Sequence, residues 1–200
     1  MFLFRRSPER AFWAWFQKNE DRLFNFEQDQ ERVFVELSRE LHKVNPELAF
    51  EFSPVKDGRR EFVVSAEGVR AAFPAVDRLL DSAPPLARWR LIKFRPRRWP
   101  LNDLQIGDLH VSVSDVRVAL ARHGQELAIL IFVPGVQDEG QRVQFGFLFL
   151  DEALGEFDVA TRVGPIEFCQ PDEHPELPRF PLTELPKRFD EAYAQLAGSM

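Results

Sequence analysis

With 26 basic against 32 acidic side chains in 200 residues and a formal charge of −6, the chain has the balance of an ordinary globular protein, which argues against general nucleic-acid binding. Its one cysteine, Cys169, excludes an intrachain disulfide, and no window approaches the roughly 18 uninterrupted apolar residues of a membrane-spanning helix. The opening residues, Met1 to Arg6, place arginines without a preceding apolar stretch or a small-residue cleavage site, so no signal peptide is expected and a reducing cytoplasm fits.

Ser7-Pro8-Glu9 predicts a helix start: a capping hydroxyl, a proline in the first turn and an acid at the positive end of the dipole. Phe12, Trp13, Trp15 and Phe16 follow, and the pattern frays over 19–25. Val33, Leu37, Leu41 and Val44 recur at spacings of four, four and three, which predicts a second helix over about 29–44, stopped by Asn45-Pro46. The period then falls to two. Leu48, Phe50 and Phe52 predict a strand, Lys56-Asp57-Gly58-Arg59 a turn, and 61–65 the returning strand. Val69, Ala72, Phe73, Val76, Leu79 and Leu80 predict a helix that tolerates Pro74 in its first turn, and 89–95 reads as a further strand.

The second half echoes this order. Val116, Val118 and Leu120 alternate, His123-Gly124 turns the chain, and 127–133 is apolar on both faces, as a central strand should be. The alternation of Phe145, Phe147 and Phe149 predicts a strand over 143–150, followed by a short helix over 151–158 and a last strand over 162–168. A proline-rich stretch precedes a C-terminal helix marked by Leu185, Phe189, Ala192 and Leu196. The expectation is one α+β domain over 1–200: a mixed, mostly antiparallel sheet covered by helices. Residues 29–100 and 108–170 form two successive hairpin-helix-strand units, with the N- and C-terminal helices packed on them. The 20 phenylalanines, against one tyrosine, are expected to fill the core, because a buried phenyl ring needs no hydrogen-bond partner.

Chemistry-bearing patterns are sparse. Asp151, Glu152, Glu156 and Asp158 form an acidic cluster at a predicted strand end, where carboxylates can hold a divalent metal or act as acid and base; a dipole-favoured helix start explains the same residues without a site. His110, Ser112 and Ser114 stand at alternate positions, a nucleophile-and-base arrangement only if an acid orients the ring. The run 88–99 interleaves Arg88, Arg90, Lys93, Arg95, Arg97 and Arg98 with Trp89, Phe94 and Trp99. It could grip a single-stranded nucleic acid or meet an acidic protein, or simply guard an edge strand. Trp13 and Trp15, in a helix too aromatic for one face, could offer a surface to a partner or to a second copy. The four histidines show no zinc spacing, Cys169 reads as a small buried hydrophobe, and no phosphate-cradling glycine loop occurs, so neither metal nor cofactor is expected.

Phe147 to Asp158, continuing through Arg162 to Glu167, and the N-terminal Phe12 to Glu20 resemble sequence found in uncharacterised bacterial proteins that carry a domain of unknown function. The resemblance implies a bacterial cytoplasmic protein of regulatory or binding kind and carries over no catalytic residue. The resulting expectation is a protein without catalytic activity that acts through protein–protein contacts or self-association, using Trp13, Trp15, Arg90, Lys93, Arg95, Arg97, Arg98 and Trp99. A metal-dependent hydrolase built on Asp151, Glu152, Glu156 and His110 is the first alternative, and single-stranded nucleic-acid binding through 88–99 the second.

Overall fold

The computed structural model describes residues 7–197, so the Met1 to Arg6 stretch weighed above as a leader lies outside the described residues. The chain divides into two units, Met1–Arg95 and Pro96–Met200, and its fold class is α+β.

In the first unit, α1 (Pro8–Lys18) starts where the sequence predicts, with the Ser7 hydroxyl accepting from the Arg10 amide at 3.4 Å. The helix buries Phe12, Trp13 and Phe16. After the short α2 (Glu20–Phe24), α3 (Gln30–His42) buries Val33, Leu37 and Leu41, three of the four residues of the predicted stripe. Strand β1 (Ala49–Phe52) pairs antiparallel with β2 (Arg60–Ser65) across a turn in which Asp57 and Gly58 take positive φ. Then α4 (Phe73–Asp81) leads to β3 (Trp89–Lys93), which returns parallel to β2. Phenylalanine does the filling. The Phe62 ring lies 5.2 Å from Phe16, 5.4 Å from Phe52 and 6.3 Å from both Phe12 and Trp89. Each such buried ring is worth about 1.5–3 kcal/mol in area alone, and the offset ring pairs add to it.

The second unit opens with a hairpin absent from the sequence reading, β4 (Leu104–Ile106) and β5 (Leu109–Val111), closed by Gly107 at positive φ. Strands β6 (Arg117–His123) and β7 (Glu126–Phe132) form the next hairpin. They are followed by α5 (Glu139–Leu154), α6 (Glu156–Arg162) and β8 (Val163–Cys169), which returns parallel to β7. A two-residue strand, β9 (Phe180–Pro181), pairs with β6, so the sheet runs β8-β7-β6-β9, and α7 (Leu185–Ala197) ends the unit. Both units thus repeat one order: an antiparallel hairpin, then helix, then a strand parallel to the second hairpin strand. Among the described residues no helix is long and apolar enough to cross a membrane.

The strand expected over 143–150 is the middle of α5. The Asp138 carboxylate caps that helix, accepting from the Gln141 amide at 2.8 Å, and Arg142, Phe145, Gly146, Phe149, Leu150 and Ala153 share its buried side at spacings of three and four. Phe147, the middle member of the alternating trio, is left exposed. The helix expected over 151–158 is interrupted at Gly155, whose φ of 78° ends α5 and lets α6 begin.

Gly146 sets how closely α5 lies on the sheet. A Cβ there would fall 2.3 Å from Phe168 Cδ1 and 3.3 Å from Ile131 Cγ2. Gly146→Ala therefore gains about 1 kcal/mol of helix propensity but meets an overpacking cost of about 1–3 kcal/mol. The net expected change is a loss of about 1 kcal/mol in urea unfolding. In a Phe168→Ala background the same substitution should become stabilising, because the obstructing ring is gone.

Candidate functional site

The basic run is largely spent on the protein's own carboxylates. In the first unit Arg88 reaches Asp21 at 2.6 Å and Glu20 at 3.4 Å, and Arg90 reaches Glu61 at 3.3 Å. Lys93 reaches Asp81 at 2.7 Å and Asp77 at 2.9 Å, and these two acids hold its pKa above the ordinary lysine value. Arg95 is bound by Glu51 at 2.6 Å and Glu67 at 3.1 Å. Trp89 is buried against Phe16, Phe24 and Phe52. A phosphate backbone would have to displace these carboxylates one by one, so the electrostatic term on which single-strand binding depends is largely cancelled. Trp13 is also buried, its Nε1 donating to the Leu79 carbonyl at 2.7 Å, and this burial leaves it no surface to offer a partner; Trp15 is half-buried.

In the second unit Arg97 is a tie between three helices. Its Nε donates to the Leu154 carbonyl at the end of α5 (2.9 Å), one Nη to Asp158 of α6 (2.6 Å), and both Nη atoms to the two oxygens of Asp190 in α7 (2.8 Å each). The Arg98 amide donates to the Glu152 carbonyl at 2.8 Å, and the Asn102 amide approaches the Glu152 carboxylate at 3.4 Å. Between these anchors Trp99 stands 73% exposed, the most open of the large apolar side chains described.

Among the described residues the acidic cluster does not bring three ligand atoms together on one ion. Asp151 and Glu152 are half-buried on α5, Glu156 is 1% exposed in the first turn of α6, and Asp158 is taken by Arg97 and Arg162. In the second candidate set His110 and Ser114 are exposed and Ser112 is half-buried. His110 Nε2 lies 3.7 Å from Asp103, and the Ser112 hydroxyl donates to that same carboxylate at 3.1 Å. The Val113 amide, with Ser112, holds the Asp103 pKa below the ordinary value. The acid thus sits on the serine, and no serine-to-histidine relay forms.

Among the described residues one group of three or more His, Cys, Asp or Glu side chains could meet on a single ion: Glu167, Cys169 and His174, whose ligand atoms all lie within 4.8 Å of one another. Glu167 and Cys169 are two apart on β8 and share a face of the sheet. Cys169 is fully buried beside Phe132 and Ala119; burial, with the charges of Glu167 and Glu173, pushes its thiol up to about 11. His174 comes from the loop after β8, takes φ 51°, and bonds Glu167 through Nε2 at 2.8 Å, which raises its pKa. Arg179 fixes that loop. Its guanidinium lies 3.6 Å from the centre of the Phe132 ring and donates to the carbonyls of Pro171 (2.7 Å), His174 (3.0 Å) and Glu173. The sequence reading left Cys169 as a core thiol and His174 as one of four scattered histidines. The signal it passed over is a Glu-x-Cys pair on one strand face with a histidine five residues on.

Asp190 gives a pH test of the three-helix tie. Arg97 holds its pKa below the ordinary carboxylate value, so the interaction is complete above that ordinary value and is lost as pH falls through the depressed one. Because Asp190 is substantially exposed, Arg97→Met should cost only about 1 kcal/mol near neutrality. The gap between the two proteins in urea midpoint should narrow steadily on acidification. A gap that stays constant or widens would contradict the assignment.

No protein-family model, no curated protein and no solved structure matches the chain.

Proposed function

We propose that the chain is a non-catalytic binding protein of the cytoplasm that acts through protein–protein contacts, with Trp99 as its anchor. The observation that carries this reading is an indole left 73% exposed on a loop pinned at both flanks to Glu152. Tryptophan is the side chain most often found at the energetic centre of interfaces. A loop that is already ordered gives up little conformational freedom on binding. Leu148 lies one helical turn before Glu152 on α5 and is also exposed, so the helix that pins the loop carries a second open apolar side chain.

The partner's chemistry follows from the surroundings. Glu152, bonded to both flanks of the loop, and a net charge of −6 favour an apolar pocket with a basic rim over a second copy of this acidic chain. The other residues of the basic run serve here as structural cement.

Capture from the native host's lysate should identify the same protein with the wild-type chain and with Val35→Ala, which alters an exposed apolar side chain of the first unit. Trp99→Ala should reduce that capture about thirtyfold, the effect of a hot-spot loss near 2 kcal/mol, with circular dichroism unchanged. Equal capture by all three proteins would sink the proposal.

A further inference from the structure

The Glu167, Cys169 and His174 cluster lies apart from the Trp99 loop and goes beyond protein binding. Thiolate, imidazole and carboxylate together are the donor set of zinc, whereas magnesium and calcium take oxygen ligands. Zinc–ligand bonds of about 2.0–2.3 Å place tetrahedral ligand atoms roughly 3.3–3.8 Å apart. The present limit of 4.8 Å is therefore within one side-chain adjustment of a closed site, with the Glu167–His174 pair, now at 2.8 Å, opening to admit the ion.

Four further features suit a metal. The two strand ligands come from a rigid ladder, Cys169 pairing with Phe132 of β7 and Glu167 with Leu130. The third is held by a loop whose carbonyls converge on Arg179, so its position does not depend on the ion. His174 Nδ1 lies 3.8 Å from the Glu176 carboxylate, which would orient the ring once Nε2 carried a metal. The floor of the site, Phe132, Ala119 and Leu177, is apolar, and low polarity strengthens charge interactions above it.

We propose that Glu167, Cys169 and His174 Nε2 bind one zinc-type divalent cation, leaving a fourth position for water. The test uses the full chain, purified in chelator and then titrated with Co²⁺. One equivalent should produce a near-ultraviolet thiolate-to-cobalt charge-transfer band, which Zn²⁺ removes and Mg²⁺ does not. His174→Ala, a change at a partly exposed loop residue that leaves the fold intact by circular dichroism, should weaken Zn²⁺ binding at least tenfold; Cys169→Ser should abolish the band. If that buried substitution fails to fold, the native chain's own band and the His174 variant decide the matter. Absence of a thiolate band at one equivalent, or Zn²⁺ affinity equal in wild type and His174→Ala, overturns the site.

Discussion

Strand β7 must be covered on both faces, and the layout of the second unit follows from that requirement. Its sequence, Glu-Leu-Ala-Ile-Leu-Ile-Phe, alternates two apolar sets. Leu127, Ile129 and Ile131 enter the main core with Phe145, Phe149 and Leu150 of α5 and Leu185 and Phe189 of α7. Leu130 and Phe132 point the other way, toward Cys169 and Ala119. With the helices spent on the first face, the chain needs something else for the second, and it supplies the proline-rich segment after β8.

That segment covers the face by two side chains of different kinds. Leu177 packs directly, and Arg179 lays its guanidinium on the Phe132 ring while its nitrogens collect the loop's carbonyls. An arginine suits this place because its flat cation stacks on an aromatic face and still has donors left over for the loop's backbone oxygens. Covering Phe132 thus forces the loop into one path, and that path sets His174 above Glu167. The meeting of Glu167, Cys169 and His174 is a by-product of the same packing that protects the sheet, which is why these residues come from both the strand and its cover.

Much of this was legible in the sequence where a single period ruled. The α3 stripe, the first hairpin, α4 and the β6–β7 hairpin all appear where apolar spacing places them. The clear failure, at 143–150, comes from phenylalanines at 145, 147 and 149. In a strand all three would share one face; in the helix two are buried and one is exposed, and Gly140 and Gly146 weaken the helical propensity that could have decided it. The cluster was half legible. The parity of Glu167 and Cys169 follows from strand geometry, but the approach of His174 depends on the contact of Arg179 with Phe132, two residues 47 positions apart that no local pattern links.

The run from Arg88 to Trp99 shows why charge counting along a chain misleads about binding. Six cations in twelve residues look like an electrostatic handle, yet neutralisation is built in for five of them, with Asp21, Glu61, Asp81, Glu51 and Asp190 closing on Arg88, Arg90, Lys93, Arg95 and Arg97. Individually these exposed or half-exposed pairs add little to stability. Together they remove most of the positive charge that a polyanion would seek. What survives at the end of the run is its apolar member. Trp99 stands 73% exposed, so its indole leaves a large apolar area in water. The segment that composition marks as an ionic site thus carries its most open large side chain on an apolar residue, while most of its cations are paired within the protein.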